Sequence, residues 1–421
     1  MRRLVAVVFA MIGCTAMAWG QGATPSAATA TPIPGSAPAA PSPAAVEPGA
    51  DLAQIRIDQI VGGGKSDPAW YATSMLAAVS TVQIDAIVVQ LKNALGAYRG
   101  VSRTETGVYL ARFEKGTDEV DIHLDERGKI DGLLFKPPKP ANVDLDATLA
   151  TLGAIPNISY VLLEGATQRA GVDADRPLAV GSTFKLAVLS ALQDEIAAHK
   201  HRWSDVIQLD PARRSLPSGV LQTWPAEAPV TLATLATEMI SISDNTAADT
   251  LHALVAGPDL DRYAARNHPF LSTRALFVMK SDGGADLLRR WHDAHDDAAR
   301  ATIVREAEHR PLPALTDYPT TPRALDVEWI YSVRELCSMM AHVAALPLMS
   351  VNPGLAQRAA FRRVSFKGGS EPGVLNLTTN LVTKHGTTYC LSATVNDPAA
   401  TVNETSVETP YAAVLSALAN R

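Results

Sequence analysis

Gly181-Ser182-Thr183-Phe184-Lys185-Leu186-Ala187-Val188-Leu189-Ser190-Ala191-Leu192 is the stretch on which the reading of this chain turns. From Thr183 onward the apolar residues predict a helix. Three residues is close to one helical turn, so Ser182 and Lys185 fall on the same face. A serine hydroxyl is a weak nucleophile at neutral pH and needs a base within hydrogen-bond reach. A lysine kept dry loses its charge readily and can serve as that base. The helix start also leaves backbone N–H groups near Ser182, suited to an oxyanion. An S-x-x-K spacing is expected about once by chance in a chain of this length. This chain has one, so its weight comes from what stands around it.

Working outward, Ser243-Asp244-Asn245 follows Leu232 to Ile240, an amphipathic run that predicts a helix. If the tripeptide is extended, Ser243 and Asn245 point into one cleft, where a hydroxyl relays protons and an amide fixes a substrate amide. Lys367-Gly368-Gly369-Ser370 follows Arg363-Val364-Ser365-Phe366, which has strand character. Its glycines let another backbone approach, and the strand edge could present the Ser370 N–H. Singly, each motif reads as a helix cap, a solvated lysine or a turn. In this order they read as one site.

The three motifs resemble the S-x-x-K, S-D-N and K-T-G of class A β-lactamase-type serine hydrolases, within the penicillin-recognising serine enzymes. Ser243-Asp244-Asn245-Thr246-Ala247-Ala248-Asp249 is similar to the family's S-D-N-T-A-A-N. Arg176 to Gly181 before the serine and a terminal helix from Pro410 to Asn420 also fit. The resemblance covers residues 145–421. It implies an α+β fold in which antiparallel strands from both ends of the domain form one sheet, flanked by a helical subdomain. It implies Ser182 as acylated nucleophile, Lys185 as its base, Ser243 as proton relay and Lys367 as electrostatic partner. Asn245, Gly369 and Ser370 would bind substrate, with the N–H groups of Ser182 and Ser370 forming the oxyanion hole. The activity implied is acyl transfer to water on a β-lactam, ester or peptide-like amide, with no metal or cofactor. Peptidase action on cell-wall D,D-peptides, and a binding or sensor module that acylates without turning over, are the alternatives.

Two departures bear on that activity. The family's deacylating glutamate belongs to an E-x-x-L-N motif, and here no glutamate occurs between Asn245 and Glu306. Gly368 replaces the hydroxyl residue of K-T-G, and losing one hydrogen bond to a substrate carboxylate costs about 1.5–3 kcal/mol. Both changes point to weak classical β-lactamase activity. Residues 281–325, rich in charge and proline, read as an enlarged loop from which Glu306 and Glu308 could approach the cleft, although a solvated surface position is the plainer reading.

Arg2-Arg3, the apolar run Leu4 to Ile12 and Ala16-Met17-Ala18 read as an export signal over 1–18, too short to span a membrane. Cys14 after Met11-Ile12-Gly13 offers a competing lipoprotein signal. The protein is thus expected to be periplasmic or secreted. Residues 19–50 are an Ala/Pro-rich linker unable to bury a core. Residues 51–140 predict a small α+β domain: helical spacing over Trp70 to Tyr98, then strands at Val108–Phe113, Val120–Leu124 and Ile130–Phe135. This order resembles the cone-like isomerase domain (cystatin/NTF2-like) that precedes the class A-like domain in a clavulanic acid biosynthesis protein. Lys136 to Pro140 reads as a stiff linker. Across 421 residues the net charge is −6, so a nucleic-acid partner is not expected. Cys337 and Cys390 either pair or stay as two buried thiols. His292 and His295 share a helical face, but without a third ligand they read as solvated.

Overall fold

The computed structural model describes residues 51–421, apart from 137, 141–143 and 420. The expected export signal and the linker over 19–50 lie outside the described residues. Two compact units divide the chain, one ending at Ala141 and one beginning at Asn142.

In the first unit α1 (Leu52–Ile57) leads through short turns to α2 (Thr73–Ala78) and α3 (Thr81–Leu95). Ser80 and Gln83 cap α3 reciprocally. An antiparallel meander follows: β1 (Tyr98–Glu105), β2 (Val108–Phe113), β3 (Gly116–Leu124) and β4 (Ile130–Phe135). β5 (Lys139–Pro140) then pairs with β3. Two of these strands escape the sequence reading. β1 buries only Val101, so it shows no apolar alternation. β5 falls in the supposed linker, where an edge position tolerates proline.

The second unit opens with α4 (Leu145–Gly153), β6 (Ile158–Glu164), β7 (Thr167–Val172) and β8 (Leu178–Ala179). A short 3₁₀ turn over Gly181–Phe184 runs into α5 (Lys185–Ala197). The helical part then holds the ribbon of β9 (Val206–Gln208) and β10 (Pro229–Thr231), followed by α6 (Leu232–Ser241), α7 (Asn245–Val255), α8 (Pro258–Asp261) and α9 (Thr273–Lys280). After them come α10 (Ala285–Asp293), α11 (Asp297–His309), β11 (Ile330–Tyr331) and α12 (Val333–Val343). The chain closes with β12 (Phe361–Glu371), β13 (Val374–Thr383), β14 (Thr388–Asn396) and α13 (Glu404–Leu418).

The large sheet has the order β12-β13-β14-β6-β7, every pair antiparallel, so strands from both ends of the unit share it. One core packs Leu152, Leu162, Leu391 and Tyr411 between this sheet, α4 and α13. Another surrounds α5, in which every residue from Lys185 to Leu192 is buried. A helix enclosed on all sides reads as apolar all round, and this places Lys185 inside the protein. A disulfide joins Cys337 of α12 to Cys390 of β14, deciding between the two readings of these cysteines.

Two expectations need correction. Residues 281–325 do not form one enlarged loop, because α10 and α11 occupy much of them. The terminal helix begins at Glu404, capped by Asn403, and carries Pro410 inside it. Proline there removes one backbone bond, yet burial of Tyr411, Val414 and Leu415 against the sheet keeps the helix intact.

Candidate active site

Lys185 stands at the centre of the cleft and is fully buried. Its Nζ lies 3.2 Å from Ser182 Oγ, 3.0 Å from Ser243 Oγ, 2.6 Å from the Ser243 carbonyl and 2.6 Å from Asn245 Oδ1. Burial first, then the charge of Lys367, hold its ammonium well below the ordinary lysine range; Asp249 and Asp244 pull weakly the other way. The partners fix what a neutral amine does here. The Ser243 carbonyl and Asn245 Oδ1 can only accept, so they take its two N–H bonds. Its lone pair is left for the hydroxyls, Ser182 Oγ among them.

The tripeptide is folded, not extended. Ser243 has φ 59°, a strained value for a non-glycine residue, and this turns both its carbonyl and its hydroxyl toward Lys185. Asp244 is fully buried and accepts from the N–H groups of Val220, Leu221 and Ala247, at 2.6, 2.8 and 2.8 Å. Gly219, at φ 99°, makes this possible: a Cβ there would lie 2.2 Å from the Asp244 carboxylate. Asn245 opens α7 as its first residue. Its Nδ2 donates to the Leu216 carbonyl at 3.0 Å and its Oδ1 faces Lys185, which leaves one amide hydrogen uncommitted.

Lys367, also buried, places Nζ 3.0 Å from Ser243 Oγ and donates to the Gly368 carbonyl. Burial lowers it to about 7. The Ser243 hydroxyl is therefore flanked by two amines, neither of which holds a proton tightly. Ser182 and Ser243 remain half-buried and reachable from outside.

The end of β12 meets the Ser182 turn backbone to backbone. A Cβ on Gly369 would lie 2.4 Å from Ser182 N, and one on Gly181 would lie 3.2 Å from Ser370 N. Only glycine permits this approach, and it brings the Ser182 and Ser370 N–H groups to one rim. At Gly368 the story differs from a missing hydroxyl alone. Phe366, two residues earlier on the same strand face, puts its ring tip 2.9 Å from where a Cβ would stand.

Glu306 does not supply a carboxylate to the cleft. Glu306 is held outside by Arg290 and Arg310, each at 2.6 Å. Asp249, whose charge acts on Lys185, accepts from the N–H groups of Thr273 and Arg274 at the start of α9, at 2.7 and 2.9 Å. Burial lifts it to about 6. Among the described residues, Asp244 and Asp249 are the carboxylates that bear on Lys185's charge, and both are committed to backbone N–H groups. His292 pairs at the surface with Asp326, 2.8 Å away.

Sequence reasoning missed Ser218, whose hydroxyl donates to the Ser243 carbonyl at 2.7 Å. Pro217-Ser218-Gly219 signals a turn, but nothing local tells what the turn touches.

A model of the β-lactamase enzyme family matches residues 144–412, more than half of the chain. Among solved structures, the chain is similar to a β-lactamase from Sphaerobacter thermophilus DSM 20745, at 19% identity over 65% of this chain and 95% of that one, TM-score 0.45. It is also similar to PBP-A, at 15% over 68% and 100%, TM-score 0.43. A third is a β-lactamase from Xanthomonas campestris pv. campestris str. ATCC 33913, at 16% over 66% and 96%, TM-score 0.44. No curated protein matches the chain.

Proposed function

Because the chain belongs to the β-lactamase enzyme family, we propose that it is an exported serine acyl-transferase that forms an ester on Ser182. Neutral Lys185 takes the Ser182 proton as Oγ attacks the carbonyl of a β-lactam, ester or peptide-like amide. The oxyanion sits between the N–H groups of Ser182 and Ser370, which Gly369 lets approach each other. Ser243, between the two amines, passes a proton to the leaving group, and Lys367 supplies positive potential when protonated. Asn245 holds Lys185 in place and offers its remaining N–H to substrate. The observation that carries this reading is the bonding of Lys185: two carbonyl acceptors and burial leave its lone pair to the two hydroxyls, Ser182 Oγ among them.

One observation favours slow release of the acyl group. Both carboxylates bearing on Lys185 are occupied by backbone N–H groups, so neither is free to activate water. The reading is thus of efficient acylation followed by slow hydrolysis, which shades into a sensor if hydrolysis is negligible. Export rests on Arg2-Arg3, the apolar run after it and Ala16-Met17-Ala18. No helix among the described residues is long and apolar enough to cross a membrane.

The test is to incubate the protein with a labelled penicillin, a chromogenic cephalosporin and a short-chain aryl ester, following adduct mass and turnover together. A single adduct that Ser182→Ala abolishes, with turnover slower than acylation, is expected. Turnover unchanged in Ser182→Ala would overturn the mechanism.

A further inference from the structure

A second group of buried charges lies outside the steps above. Lys280, the last residue of α9, is 1% exposed. Its Nζ lies 3.1 Å from Glu328 Oε1 and 2.6 Å from Glu371 Oε1. Tyr318 OH donates to Glu371 Oε2 at 3.0 Å, and the Trp329 N–H donates to Glu328 Oε2 at 3.2 Å. Arg323, which also binds Asp282, donates to the Lys280 carbonyl at 2.9 Å. Taking three ionisable groups out of water is costly, and apolar residues of similar volume often serve packing better. Packing alone therefore does not account for the cluster.

Its position does. Glu371 follows Ser370 on β12 and shares the strand face of Gly369, the residue pressed against Ser182 N. Glu328 precedes Trp329. The carbonyl of Trp329 accepts the Val180 N–H at 3.1 Å, and its ring stacks on Phe184 at 3.7 Å between centroids. Each carboxylate is thus one residue away from a group that fixes one wall of the candidate oxyanion hole. Lys280 ties the two together.

We infer that Lys280, Glu328 and Glu371 are positioning residues, a buried clamp that sets the distance between the Ser182 turn and the Ser370 N–H and so sets the acylation rate. The clamp rests on the proposed Ser182–Ser370 oxyanion hole. Its charge is balanced only when one of the two carboxyls holds a proton. Burial, then the charge of Glu371, lift Glu328 to about 8, against the pull of Lys280. Lys280 stays protonated, because the two glutamates outweigh the effect of its burial. The Tyr318 hydroxyl is pushed up by burial and by Glu371, so it remains a donor. Above pH 8 the clamp gains a net negative charge beside a developing oxyanion, and acylation slows.

The experiment measures acylation of the full chain by an aryl ester from pH 5.5 to 10, with melting curves, for wild type, Glu328→Gln, Lys280→Met and Glu371→Gln. Glu328→Gln should hold its rate within about threefold at pH 7 and show a shallower alkaline fall near pH 8, keeping only the part that follows loss of the Lys367 charge, while the acid limb stays. Lys280→Met should lose about 10²-fold in acylation at unchanged apparent ester binding. If Lys280→Met does not fold, the Glu328→Gln profile decides. An alkaline limb identical in Glu328→Gln and wild type would overturn the clamp. So would a Glu371→Gln defect confined to deacylation, which would make Glu371 a water-activating base. Acylation persisting in Ser182→Ala would instead defeat the underlying reading of Ser182 as nucleophile, whatever the clamp profiles show.

Discussion

Lys185→Met removes the amine that lies 3.2 Å from Ser182 Oγ without changing the length of the side chain much, so it isolates the proposed base. Acylation should fall by about 10²–10⁴-fold, the usual range for a positioned base, as read by single-turnover mass spectrometry. Lys367→Met carries a stability signature with a definite sign. Its folded value near 7 lies below the ordinary 10.5, so burying the ammonium costs stability in full below pH 7. That cost disappears between about pH 7 and 10.5, where the unfolded chain alone holds the proton. The melting temperature of Lys367→Met should therefore exceed wild type most at pH 6, and the gap should close toward pH 10. A gap that widens with pH would contradict the assigned burial. At Gly368, adding threonine alone should not improve affinity for carboxylate-bearing lactams, because the Phe366 ring tip occupies its Cβ space. The pair Phe366→Ala with Gly368→Thr should improve it, measured as apparent affinity during acylation.

At the scale of elements, the close approach of β12 to the Ser182 turn and the disulfide between α12 and β14 do different work. Gly369→Ala would set a Cβ 2.4 Å from Ser182 N, so strand and turn must separate. Acylation should drop by about 10²-fold while circular dichroism stays native-like. The disulfide closes a loop with a sequence separation of 53. Such a loop gains about 4 kcal/mol in a chain-entropy account, so Cys337→Ala with Cys390→Ala should lower the melting temperature by roughly 10 °C. These elements also show where the sequence is transparent. The Ser182–Lys185 pair is legible because helical spacing is local, and β12 is legible from its residue types. The bend at Ser243 is not, since its positive φ is held by Ser218, Lys185 and the Asp244 cap, contacts made across the fold. β1 stayed hidden because it buries a single residue on an edge, and α10 and α11 because charge-rich helices look like loops. Lys280, Glu328 and Glu371 are far apart in the chain, and only the fold brings them together.

For the molecule as a whole, the site combines buried amines that resist protonation with buried acids that resist ionisation. Asp249 and Glu328 are lifted to about 6 and 8, while Lys367 is lowered to about 7. This costs stability, as active sites commonly do, and the two cores around α5 and the large sheet offset it. In the proposed mechanism this arrangement concentrates chemistry on Ser182 and, among the described residues, commits both carboxylates that bear on Lys185 to backbone N–H groups. The central claim is that Ser182 is acylated faster than it is released. Intact-mass spectrometry of the protein mixed with a labelled penicillin or an aryl ester, sampled from seconds to hours, tests it most directly. A single adduct on the peptide containing Ser182, formed quickly, lost slowly and absent from Ser182→Ala, is the predicted result. No adduct with either acyl donor, or one that survives Ser182→Ala, would contradict it.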